Sequence, residues 1–96
     1  MHFVYILVSE SSPGKIYIGI TSDLEKRLDK HNTEQTVYSK RHAPWRLESY
    51  IAFSNKNQAN AFERYLKQGS GFAFLKKHLI WKPSAQTVSI EGKKVI

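Results

Sequence analysis

Ninety-six residues, 41% hydrophobic and 24% charged, bound the chain to one small globular domain that buries about two-thirds of its extended-state surface. The absence of cysteine excludes disulfides and thiolate zinc sites and favours a cytoplasmic setting, while no apolar run nears the ~18 residues of a membrane span and no basic-then-apolar leader precedes Phe3. Fifteen Lys+Arg against eight Asp+Glu give +7 at pH 7, which suits a polyanion because neutralising phosphates releases condensed counterions.

Phe3 to Val8 is a continuous apolar run, the pattern of a strand covered on both faces. Ser11-Ser12-Pro13-Gly14 supplies turn chemistry, and Ile16 to Thr21 then alternates. Ile16, Ile18 and Ile20 share one face, and Tyr17, Gly19 and Thr21 the other. The two runs predict an antiparallel hairpin of undetermined register. Ser22-Asp23-Leu24-Glu25 reads as a capping box with Ser22 as N-cap. It opens a helix of about ten residues to His31 or Asn32. Leu24, Leu28 and His31 form the stripe that faces the sheet, with Arg27 beside them on the same side.

Thr33 to Trp45 has no period and carries Ser39-Lys40-Arg41-His42, so it is expected to be a basic loop, with Pro44 holding Ala43 out of helical geometry. Arg46 to Phe53 predicts a third strand with Leu47, Ile51 and Phe53 on one face. Ser54 or Asn55 caps a second helix that ends at Gly69; its stripe is Ala59, Phe62 and Leu66, with Glu63 at the edge. Ser70-Gly71 is expected to break the chain before a third helix, Phe72 to about Ile80, with Lys76 and Lys77 outward. Residues 84–96 read as a tail, either loose or adding a short strand around Thr87 to Ile90. The fold class is therefore α+β: a small three-stranded antiparallel sheet flanked by helices, in the order β-β-α-β-α-α.

Tyr5, Tyr17-Ile18-Gly19, then Arg27 and His31 ten and fourteen residues past Tyr17, then Glu63, form a constellation whose order and spacing resemble the GIY-YIG nuclease domain. The likeness is greatest to its small single-domain bacterial members and spans Phe3 to Ile80, within a domain taken to be residues 1–83. The resemblance implies an endonuclease with one divalent metal, Mg²⁺ or Mn²⁺, bound through Glu63. It also implies Tyr17 as activator of the attacking water, Tyr5 in the water network, Arg27 on the scissile phosphate, and His31 as orienter or proton relay. DNA is a more natural substrate than RNA, and Lys40, Arg41, Lys76 and Lys77 would track its backbone.

The residue types suit this chemistry on their own terms. A hard cation is commonly held by one or two carboxylates, keeping its other positions for water and phosphate. Arginine offers a permanent planar donor fork. Tyr17 can act as a base only if positive charge lowers its pKa from about 10; Arg27, Lys40 and a metal are candidate sources.

Structural readings stand beside each of these. The tyrosines suit strands by propensity, Arg27 could pair with Asp23 and Glu63 with Lys67 at i,i+4 spacing, and His31 could be an ordinary helix-end histidine. Gly19 could simply allow a close backbone approach. Trp45 and Trp81 read better as packing residues than as base-stacking platforms.

The chain departs from the family pattern in three places, the first being a first motif that reads Phe3-Val4-Tyr5 and keeps only its tyrosine. Ile20 stands where some members carry a lysine, and Phe74 to His78 holds no asparagine of the kind larger members have beyond the glutamate. The chain is expected to lack an appended recognition domain and so to have little sequence preference. The alternative to an enzyme is a non-catalytic nucleic-acid-binding module on the same scaffold; a basic domain without a nucleic-acid role is the third reading.

Overall fold

The first strand is apolar on both faces because both faces are covered. The structure is a computed structural model, and the residues it describes are 1–33, 41–81 and 89–90. Strand β1 (His2–Ser9) pairs antiparallel with β2 (Lys15–Thr21) on one side and with β3 (Trp45–Phe53) on the other. Val4 and Ile6 of β1 join Ile16 and Ile18 of β2 in a cluster with Ala59, Leu66 and Leu75. Tyr5 and Leu7 point the opposite way, into a second cluster with Trp45, Tyr17, Leu24, Leu28 and Leu47.

Helix α1 (Leu24–Thr33) covers the second face, and α2 (Lys56–Leu66) and α3 (Gly69–Phe74) cover the first. A π-helical turn, Leu75–Leu79, continues α3. The architecture is the expected α+β arrangement, a three-stranded antiparallel sheet with three helices in the order β-β-α-β-α-α. A two-residue strand, β4 (Ser89–Ile90), adds parallel to the start of β2, giving the strand order β3-β1-β2-β4. Of the two alternatives for the tail, this stretch takes the strand. Thr87, Val88 and the rest of the tail beyond Ile90 lie outside the described residues, as do residues 34–40 of the basic loop, including Lys40.

Three local expectations are corrected. Asp23, not Ser22, caps α1: its Oδ1 accepts from the Lys26 backbone N–H at 3.1 Å, and Thr21 Oγ1 accepts from the Asp23 N–H. A carboxylate three residues before the N–H it receives does the job assigned to the serine, and the box with Glu25 is not needed. Secondly, Leu47 and Phe53 lie on opposite faces of the sheet. Ile6 pairs with Ser49 but Leu7 with Leu47, so Glu48 is an extra residue in β3, and this bulge reverses the parity of everything before it. Thirdly, α3 begins at Gly69 rather than after Gly71. Gly69 has φ +55°, and a Cβ on Gly71 would stand 1.7 Å from the Tyr65 carbonyl oxygen. Gly71 thus serves close packing of α3 on the end of α2 instead of breaking the chain.

Asn55 caps α2, accepting from the Gln58 N–H at 3.0 Å. Trp45 is buried as a packing residue should be, but Trp81 is 81% exposed. At the C-terminal end of α3's turn there is no further layer to receive it among the described residues.

Candidate active site

Cross-strand pairing sets Tyr5 of β1 opposite Gly19 of β2. Glycine is required there: a Cβ on Gly19 would lie 2.3 Å from the Tyr5 hydroxyl oxygen and 2.5 Å from Cζ. The Tyr5 ring therefore crosses the bare backbone of β2. Tyr17, two residues earlier on the same face, stacks beside it with ring centroids 6.3 Å apart and planes 19° off parallel.

His31 reaches this pair from α1. Its ring packs edge-on to Tyr17 at 4.5 Å, and its Nε2 hydrogen-bonds the Tyr5 hydroxyl at 3.2 Å. Which of the two donates depends on the imidazole tautomer. Trp45 closes the cluster, 6.2 Å from Tyr17 and 6.4 Å from His31. Asn32 fixes the end of α1 against β3, accepting from the Trp45 N–H at 2.7 Å and donating to the Trp45 carbonyl at 3.1 Å. Tyr5 is only 2% exposed, whereas Tyr17 is half-buried, so the second phenol is the one that meets solvent.

Arg27 is exposed at the rim of α1 rather than turned inward with His31. Its position at the edge of the apolar stripe accounts for this, and its guanidinium nonetheless acts on Tyr5, Tyr17 and His31 together. Glu63 approaches from α2 on the other layer, and its carboxylate also acts on both phenols. It is mostly buried and ion-paired with Lys67 one turn on. Its i,i+4 partner is thus in place, and its charge raises both phenols.

These surroundings shift three groups. Burial pushes the Tyr5 phenol far above its usual range, Tyr17 and Glu63 add to the rise, and Arg27 opposes it. Burial also raises Tyr17; Arg27 pulls it down and Glu63 pushes it up. Among the described residues, the condition set for Tyr17 as a base, a phenol lowered by neighbouring cations, is thus not met; Lys40 lies outside them. Desolvation outweighs the pull of Arg27. Burial, helped by Arg27, lowers His31, keeping the imidazole neutral near pH 7.

Lys76 and Lys77 are exposed in the turn that extends α3, on the far side of the sheet from α1, with the Lys76 ammonium over the Phe72 ring at 4.9 Å. Arg41 is exposed. None of the three joins the tyrosine cluster.

Two groups escaped sequence reasoning. Asn32 carries no signal beyond a polar residue at a helix end. His42 is buried, with its Nδ1 2.9 Å from Ser12 Oγ, and its carbonyl accepts from Ser9 Oγ at 2.5 Å. These bonds tie the β1–β2 turn to the entry of β3. Among the described residues no three His, Asp or Glu side chains converge as a metal cluster.

Comparison with known proteins places the chain in a family. The GIY-YIG catalytic domain matches residues 1–77. The UPF0213 protein YsiG of Lactococcus lactis is 33% identical over 100 residues, covering 99% of this chain and 94% of the relative. A UPF0213 protein of Halalkalibacterium halodurans is 33% identical over 92 residues, 95% of this chain and 85% of its own. One from Streptococcus agalactiae is 35% identical over 78 residues, 77% of this chain and 89% of its own. No solved structure matches the chain.

Proposed function

The chain belongs to the GIY-YIG catalytic-domain family, and from that membership we propose that it is a metal-dependent endonuclease hydrolysing phosphodiester bonds in DNA. The observation that carries the reading is the gathering of Tyr5, Tyr17 and His31 in one aromatic cluster under the opposed charges of Arg27 and Glu63. Structural needs alone would favour apolar residues at several of these positions.

In this reading Arg27, exposed and permanently charged, binds the non-bridging oxygens of the phosphate. Tyr17, the more accessible phenol, orients and activates the attacking water. Tyr5 and neutral His31 hold each other through their hydrogen bond, and together they fix the ring that Tyr17 stacks on.

Glu63 fits a single hard cation. Lys67 engages Oε2, and among the described residues Oε1 has no hydrogen-bond partner, which matches an ion held by one carboxylate and otherwise by water and phosphate. Mg²⁺ or Mn²⁺ bound there would supply the positive charge that Arg27 alone does not, lowering the cost of an ionised oxygen nearby. Lys40, Arg41, Lys76 and Lys77 are assigned to backbone contacts along a longer track. Residues 1–83 are taken as the domain and 84–96 as its tail, in a cytoplasmic protein.

The raised phenol of Tyr17 favours a second reading, a nucleic-acid-binding module without turnover. One experiment separates them: incubation of plain, branched and flapped DNA with Mg²⁺ or Mn²⁺, using the native protein, Glu63→Gln and Arg27→Ala. The endonuclease reading expects cleavage by the native protein and a loss of about 100-fold or more in each variant. Salt-sensitive binding with no product under either metal would select the binding module.

A further inference from the structure

Lys67 is an unexpectedly buried cation among the described residues. Its side chain is 11% exposed and that of Glu63 is 16% exposed, whereas the pairs Arg46–Glu10 and Arg46–Glu48 each keep at least one half-exposed partner. Taking an ammonium and a carboxylate out of water costs several kcal/mol per ion before their attraction is counted. A helix end that needed only packing would be served better by an apolar residue.

The location supplies a reason. Lys67 is the C-cap residue of α2, and its backbone N–H bonds the carbonyls of Arg64 and Tyr65, so the stem of its side chain starts from a fixed point. Its ammonium takes Oε2 of Glu63. The charges of Arg27 and Glu63 both act on the two phenols. Lys67 thus takes one carboxylate oxygen of Glu63, and among the described residues Oε1 has no hydrogen-bond partner.

We propose that Lys67 is the resident counter-cation of Glu63, a residue that balances the carboxylate while no divalent ion is bound and sets how tightly one binds. This rests on the reading of Glu63 as the metal ligand. A lone buried carboxylate beside two phenols would be an uncompensated charge when empty and an unduly strong cation trap when filled. With Lys67 in place the empty site is close to neutral. Loading then sets a divalent ion against a fixed ammonium one carboxylate away, so the ion is held loosely enough to come and go with the phosphate. The lysine is a positioning and tuning residue and does not touch the reacting atoms.

The test is Mn²⁺ binding to the intact chain without DNA, followed by calorimetry or by Mn²⁺ paramagnetic resonance. Lys67→Met keeps the length of the side chain and removes its charge. It should tighten Mn²⁺ binding about tenfold or more, the effect of deleting one like charge within a few ångströms. Lys67→Arg keeps the charge and should stay within about threefold of the native affinity. Glu63→Gln should bind no Mn²⁺ at this site, and Glu63→Gln combined with Lys67→Met, a neutral pair of similar shape, should fold and also bind none.

Native affinity or weaker in Lys67→Met, with binding lost in Glu63→Gln, would overturn the role given to Lys67 and leave the metal site standing. Unchanged binding in Glu63→Gln would overturn both. Because Lys67→Arg and the doubly neutral variant keep the helix end filled, a fold defect in Lys67→Met alone cannot produce the expected pattern.

Discussion

Gly19 shows how much of the candidate site depends on a missing side chain. Its hydrogen is what lets the Tyr5 ring cross β2 and bring its hydroxyl to His31. Gly19→Ala is expected to expel that ring and to destabilise the fold by about 1–3 kcal/mol, the usual cost of overfilling a packed site. Denaturant titration measures the stability, and DNA cleavage should fall by more than the folded fraction does.

The same cluster has a pH signature. His31 is lowered by burial, so below about pH 6.5 the unfolded chain takes up a proton that the folded chain resists, and stability should decline as pH falls through that range. Tyr5 and Tyr17 are raised, so above about pH 10 the unfolded chain releases protons that the folded chain keeps. Stability should decline there too, as pH rises. Unfolding midpoints between pH 5 and 11 test both arms, and His31→Asn should flatten the acid arm only. The tyrosines, Arg27, His31 and Glu63 were legible in the sequence as types at a spacing. The sign of the phenol shift was not, because burial is a property of the fold and outweighs the pull of Arg27.

At the scale of elements, the strands and helices follow their periodicities, and the departures have local causes. The bulge at Glu48 leaves no mark in an alternating sequence, because one extra residue in β3 reverses a pattern that is self-consistent on either side. Ser22 and Asp23 are both good caps, and Thr21 decides between them by holding the Asp23 backbone through its hydroxyl. Gly71 resembles a breaker in sequence and proves to be a contact surface for Tyr65.

Asn32 is the element-level link that matters most for the site. It binds both the N–H and the carbonyl of Trp45 and so joins α1, which carries Arg27 and His31, to the sheet that carries the tyrosines. Asn32→Ala leaves those backbone groups without this partner and is expected to cost about 1–3 kcal/mol. Thermal or denaturant unfolding checks the cost. Asn32→Asp, which keeps only the acceptor, should fall between the two.

For the whole molecule, the sheet separates two jobs. One face, under α2 and α3, is a hydrocarbon core; the other, under α1, holds the aromatic and charged cluster. Glu63 belongs to the core-side helix, and its charge is felt by the phenols of the other face. The basic excess of +7 would then draw in a polyanion, and the site would act on it. No described helix is long and apolar enough to cross a membrane. The assignment of Glu63 as the carboxylate that holds the metal is the central proposal, and nicking of supercoiled plasmid DNA in Mg²⁺ or Mn²⁺ by the native chain beside Glu63→Gln tests it most directly. Nicking by the native protein that disappears in a folded Glu63→Gln variant is the expected result, and equal rates from the two proteins would contradict it.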